Sequence, residues 1–191
     1  MLEGLLLAAR DTVIDARSAA QRVIALRLPL GTAVLALLLT SVLAAVLAGL
    51  TFQVSGFGGD AAMAALFGSP FSLALMQVAV QASAAVLIYV IGRLFGGRGQ
   101  LSDAVALMAW LEAVLLIAQF AQLLLIGLVP VLAELLGLLG MGLFLWLLTV
   151  FTAELHGFRA LGRVFLGILL TALAVGVLFV GILGVGFAPG G

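Results

Sequence analysis

The chain has no cysteine, no lysine and no asparagine, a single histidine, and only eight acidic and eight basic side chains among 191 residues. Without cysteine there is no disulfide framework, thiolate metal site, iron–sulfur cluster or thiol nucleophile. With one histidine, most other metal sites go too. Charged residues make up 8% of the chain, against roughly 25% in soluble domains, which is too few to cover a water-facing shell. The formal net charge is zero and no basic cluster interleaves with aromatics, so no feature selects nucleic acid. What remains is oil: 65% of residues are hydrophobic, and the mean hydropathy is +1.42. The lipid bilayer is the partner this composition demands. Arginine as the sole strong base, in a chain dominated by Ala, Gly, Leu and Val, points to a GC-rich bacterial genome, and hence to the bacterial inner (cytoplasmic) membrane.

The hydrophobic runs predict an all-α polytopic membrane protein, a five-transmembrane-helix bundle preceded by an amphipathic interfacial helix. The leading segment, residues 1–28, begins with Glu3 as its first charge and Arg10 after MLEGLLLAA, which is not the pattern of a cleavable signal. Over residues 2–27, Leu6, Val13, Ala16, Ala20 and Val23 share one side and Glu3, Arg10 and Arg17 another. This segment is expected to lie along the cytoplasmic interface as one helix. Its alternative is docking on a partner or on the inner loops, with Asp11 and Asp15 meeting Arg93, Arg98 or Arg159. The membrane domain, 29–187, is expected to hold spans at about 31–52, 70–94, 103–129, 131–153 and 163–187, with a tail at 188–191. Pro70 suits a first helical turn, Ser102 or Asp103 can cap the third span, and Pro130 forces the next turn.

All eight arginines fall on alternate sides of these spans: Arg10, Arg17, Arg22 and Arg27 before the first, Arg93 and Arg98 after the second, Arg159 and Arg163 after the fourth. The positive-inside rule then sets the N-terminus in the cytoplasm and the C-terminus in the periplasm. Asp60 and Glu134 are expected at the opposite face.

Within the spans the polar side chains are Gln77, Gln81, Tyr89, Glu112, Gln119 and Gln122. An acidic residue in hydrocarbon costs about 2.5 to 3.5 kcal/mol on insertion scales, so Glu112 should face the bundle interior, be protonated or line a wet cavity. Depth counting along antiparallel helices sets Gln81 level with Gln119 and Gln77 level with Gln122, predicting a Gln81–Gln119 contact. The cluster reads either as interhelical hydrogen bonding or as a relay or groove for a proton, ion, lipid headgroup or small solute. Arg93, Arg98, Glu154, His156, Arg159 and Arg163 form the candidate cytoplasmic-face set, with His156 an interfacial residue, a ligand or a pH sensor. Small residues repeat at four-residue spacing at Ser41, Ala45 and Gly49, at Ala133 and Gly137, and at Ala172 and Gly176, allowing close helix approach. GFGG and FGGRG lack phosphate-loop context and read as turns. No catalytic set, cofactor site or metal site is expected.

The loop RLFGGRGQLSDAVALMAWLEAVL, with its Gly-rich turn Phe95–Gln100, and the segment Glu154-Leu155-His156-Gly157 at the end of the fourth span resemble the YIP domain (Ypt-interacting protein) family of bacterial type, over roughly residues 25–187. The resemblance implies a five-span fold. The eukaryotic-type Asp-Leu-Tyr-Gly-Pro motif is missing, so the small-GTPase and vesicle-trafficking role of eukaryotic relatives is not carried over. Two functions stay in competition. One is a non-enzymatic protein that organises or associates with a membrane protein complex, as a homo- or hetero-oligomer. The other is a small transporter, channel or lipid-moving protein using the Gln/Glu face of the second and third spans.

Overall fold

The computed structural model describes residues 2–54 and 69–186. The expected outer loop with Asp60 and GFGG, and the tail at 188–191, lie outside the described residues. Among those described, the chain is all-helical, with seven helices: α1 Leu2–Ile14, α2 Ala16–Ala25, α3 Leu30–Val54, α4 Pro70–Leu94, α5 Leu101–Ile126, α6 Pro130–His156 and α7 Leu161–Gly186. The last five are long and apolar enough to cross a bilayer, and the chain is a multi-pass membrane protein. Only helices or closed barrels satisfy backbone groups inside hydrocarbon. The helix ends follow local chemistry. Ser69 accepts from the Ser72 N–H at 3.4 Å ahead of Pro70 at the first turn. Gly96 (φ 84°) and Gly157 (φ 74°) adopt left-handed geometry where α4 and α6 stop, a region that costs a side chain strain.

Helix α5 is the hub, packed most extensively on α3 and then on α6 and α4, while its first half also receives α1 and α2. Buried side chains concentrate in its first half, from Ala104 to Leu115, and in the last turns of α6, from Leu147 to His156. Both lie at the end of the bundle that carries the arginines. Half of the buried hydrophobic residues described are alanines. That follows from the solvent: lipid is as apolar as leucine, so helices associate where small side chains let backbones approach, not by hiding oil. Large residues such as Leu35, Leu39, Leu138 and Leu139 point outward. Away from the arginine end the bundle loosens, and on α7 every described side chain from Ala172 onward is exposed.

The segment expected as one interfacial helix is two helices, broken at Asp15. Its carboxylate turns back to accept the Ser18 N–H at 3.1 Å and the Ser18 hydroxyl at 2.5 Å, capping α2. These bonds favour the charged form and hold the Asp15 carboxyl below its usual range. The expected apolar stripe matches the docking face only in α2, where Ala16 and Ala20 are buried and Val23 packs on the core; in α1 it does not. Leu6 and Val13 are exposed, whereas Ala9, Thr12, Ala16, Ala19 and Ala20 are buried. The segment docks on its own bundle, at α5 and α6, and the ion pair involved is Arg17 with Glu154, not Asp11 or Asp15 with the loop arginines. The capping expectation also changes: α5 starts at Leu101 behind Gln100, ahead of both Ser102 and Asp103.

Thr12 shows what the docking rests on. It is fully buried, donates to the Ala8 carbonyl at 2.8 Å, and accepts the Trp110 indole N–H at 3.1 Å. Thr12→Val keeps the shape and leaves the indole donor unpaired, which costs about 1–3 kcal/mol for a buried group. We expect a lower unfolding temperature in detergent and faster trypsin cleavage at Arg10 and Arg17. An unchanged cleavage rate would show that α1 is held by other contacts.

Candidate functional site

Glu112 sits in the middle of α5 and is 2% exposed. Gln77 Nε2 donates to its Oε1 at 2.8 Å, and Gln81 Nε2 donates to its Oε2. The two glutamines are four residues apart on α4, so they lie on one face, one above the other, and their amides reach both oxygens of one carboxyl group. This replaces the expected Gln81–Gln119 contact. Gln119 Oε1 is buried with no hydrogen-bond partner among the described residues, and so is Ser41 Oγ on α3. Glu112 and Gln119 share a face of α5 but differ in depth by about 10 Å; counting from the outer helix ends sets Gln81 level with Gln119, whereas counting from the α4–α5 turn, between Leu94 and Leu101, sets it close to Glu112. The carboxyl group takes both amides because it offers two acceptor oxygens, one to each glutamine, where a glutamine side chain offers a single one. Gln122 lies against Gly137 of α6, where a β-carbon would fall 2.7 Å from its Nε2. Tyr89 is half-buried against the core.

The small-residue faces divide into two kinds. Ser41 and Ala45 are buried, and Gly49 sits 3.5 Å, at an ideal β-carbon, from Leu73 of α4. Ala133 is buried and Gly137 holds Gln122. Both faces are therefore used inside the chain. Ala172 and Gly176 are exposed, and a β-carbon on Gly176 would meet nothing within 4 Å.

At the arginine end a second site joins three segments. His156, the last residue of α6, is buried, with Nε2 3.1 Å from the Ile88 carbonyl of α4 and Nδ1 3.3 Å from the Gly99 N–H in the α4–α5 turn. One tautomer satisfies both: a neutral ring donating from Nε2 to Ile88 and accepting at Nδ1 from Gly99. The ring stacks on Phe158, with centroids 5.5 Å apart. Gly92 and Gly97 form the walls, and a β-carbon on either would overlap the imidazole. On Gly99 it would sit 2.6 Å from Leu155 Cγ and 2.9 Å from His156 Cε1. FGGRG is thus more than a turn. Its Gly97 and Gly99, with Gly92 before them, clear the space that the histidine and Leu155 fill.

Around this lock, Arg93, Arg98, Arg159 and Arg163 are exposed. Glu154 is met by Arg17 at 3.5 Å and by the Gln21 amide at 3.0 Å. Sequence reasoning missed Thr12, Gln21 and the glycine walls as functional positions. Thr12 and Gln21 carry no signal beyond being polar in a segment assigned to the membrane surface. The glycines were visible as a cluster, but their target is 57 residues away in sequence from Gly99.

Two sets of variants test these sites by thermal unfolding in detergent. Gly92→Ala should be severely destabilising, by several kcal/mol if the ring is expelled, whereas Gly162→Ala, where a β-carbon meets nothing within 4 Å, should be neutral or stabilising by up to about 1 kcal/mol. His156→Ala combined with Gly92→Ala should cost less than the two single changes added; additivity would separate the glycine from the ring. At the intramembrane site, Glu112→Gln keeps an acceptor and should be mild, while Glu112→Leu leaves two amides unpaired and should lose about 2–5 kcal/mol. Equal tolerance of both would remove the carboxyl from the packing of α4 and α5.

No curated protein and no solved structure matches the chain. A family model does: the Yip1 domain, over residues 10–183. That range takes in both Gly-based segments of the histidine lock, all three glutamine–glutamate partners and the docked α2. The chain belongs to the Yip1 domain family.

Proposed function

We propose that this Yip1 domain protein is a non-enzymatic organiser of a membrane protein complex, set in the bacterial inner membrane with its arginine-bearing end in the cytoplasm, and that α7 is the helix it offers to a partner. The observation that carries this reading is the exposed outer half of α7. Of three small-residue faces, those on α3 and α6 are consumed within the chain, while Ala172 and Gly176 stand free on a helix that leans on α6. In lipid a free small-residue face is where another helix can approach closely. The enclosed Glu112 supports the same reading, since its two oxygens are already taken by amides.

The alternative, a small transporter, channel or lipid-moving protein, draws on the unpaired buried atoms Ser41 Oγ and Gln119 Oε1. Ser41 and Glu112 each lie eleven residues into their helices from the arginine end, so a polar layer spans α3, α4 and α5.

The cysteine-free chain makes both readings testable with single cysteines. Gly176→Cys in native membranes should give an oxidant-dependent crosslink or a partner adduct, and Leu138→Cys, exposed on α6, should not. Equal yields at both positions, or none at either, would sink the partner-helix reading. Ser41→Cys should resist water-soluble thiol reagents; rapid labelling there would favour the conducting alternative. Labelling at 98 and 130 checks orientation, with 130 expected to react from outside the cell.

A further inference from the structure

A groove of about 450 Å³ opens at the arginine end, between α2 and the turn that joins α6 to α7. It is lined by Arg17 from α2, by Ala153 and Glu154 from α6, and by Gly157, Phe158 and Arg159 from the turn. Glu154 is already engaged: Arg17 lies 3.5 Å away and Gln21 donates to it at 3.0 Å. This holds the Arg17 wall in place while leaving part of its guanidinium exposed. Arg159 is exposed and has no carboxylate within ion-pair distance among the described residues. Two arginines lining one space suit an oxyanion with several acceptors, above all a phosphate, which planar N–H forks engage two at a time.

The location decides which phosphate. The groove lies where α6 ends and α7 enters the membrane, at the depth where phospholipid headgroups sit. From the same turn α7 descends with Leu166, Leu169, Leu170 and Leu173 exposed, an apolar track that acyl chains can follow. A soluble phosphate would have no use for that track. We propose that the groove binds the phosphate of an anionic phospholipid headgroup between Arg17 and Arg159, as a defined site distinct from general attraction to the basic end. The docked α2 is one wall, so the site exists only when the N-terminal helices are seated on the bundle.

Native mass spectrometry of the full chain in mild detergent tests this, with phosphatidylglycerol and phosphatidylcholine of identical acyl chains supplied in equal amounts. The expected result is retention of one phosphatidylglycerol in clear preference to phosphatidylcholine. Arg159→Gln should lower that preference by about fivefold, the worth of one basic residue at an anionic headgroup, as should Arg17→Gln. Arg98→Gln, also exposed at the same end, should leave it unchanged. Because Arg17 also holds Glu154, Trp110 emission serves to check that α1 and α2 remain docked; Arg159 has no such second contact and decides the matter. The proposal is overturned if neither lipid is preferred, or if Arg98→Gln costs as much as Arg159→Gln, which would mean diffuse attraction. Inorganic phosphate at millimolar concentration should not displace the lipid; displacement would overturn the lipid assignment in favour of a soluble phosphate.

Discussion

A polar group in the bilayer has to find its partner inside the protein, because the surrounding hydrocarbon offers none, and apart from Ser41 Oγ and Gln119 Oε1 the described buried polar side chains follow that requirement. Threonines in the spans turn back onto their own helices: Thr149 to the Leu145 carbonyl at 2.7 Å, Thr152 to Leu148 at 2.6 Å, and Thr171 to Gly167 at 2.8 Å. Glu112 cannot reach a backbone donor in its own helix, where the N–H groups are already used, and so recruits α4 through two amides. His156 has two ring nitrogens and satisfies one in α4 and the other in the α4–α5 turn. Trp110, within a span, donates to Thr12, which comes from α1 outside the spans. Each pairing ties together helices that lipid alone would give no reason to associate.

These ties are unevenly distributed. The histidine lock and the docked α1 and α2 lie in the half of the bundle nearest the arginines, where buried alanines also permit close packing, and the Glu112 cluster lies near the middle. The opposite half carries fewer polar ties among the described residues. Its surfaces are accordingly more exposed, and every described side chain of α7 from Ala172 onward is exposed. Glycine has opposite uses in the two halves. At Gly92, Gly97 and Gly99 its missing β-carbon is filled by the chain's own histidine and leucine; at Gly176 the space is left open.

The two segments that carry the family resemblance, Phe95–Gln100 and Glu154–Gly157, are the two sides of one contact. The glycine-rich turn supplies the cavity and an N–H, and the end of α6 supplies the ring. Glu154 faces the other way and seats the N-terminal helices through Arg17 and Gln21. One short segment therefore fastens both the α4–α5 turn and the leading helices, which gives a physical reason why those residue types stand together.

The five spans, the common end of the arginines and the amphipathic character of the leading segment were legible in the sequence, because each depends on local quantities: run length, charge position and helical periodicity. The inward orientation of Glu112 was legible too, since a carboxyl in lipid has few alternatives. The tertiary structure alone decided the partners. Helix periodicity tells which residues share a face but not which neighbour that face meets, so Gln81 could be set level with Gln119 while Glu112 takes its hydrogen bond. Arginines and alanines alternate in the same way on an interfacial helix and on one docked to protein, and the seating of Thr12 on Trp110 and of Arg17 and Gln21 on Glu154 distinguished them. A glycine's reason lies in whatever occupies the space beside it. For Gly92 and Gly97 that occupant is an imidazole from a distant helix, brought there by the packing of α6 on α5.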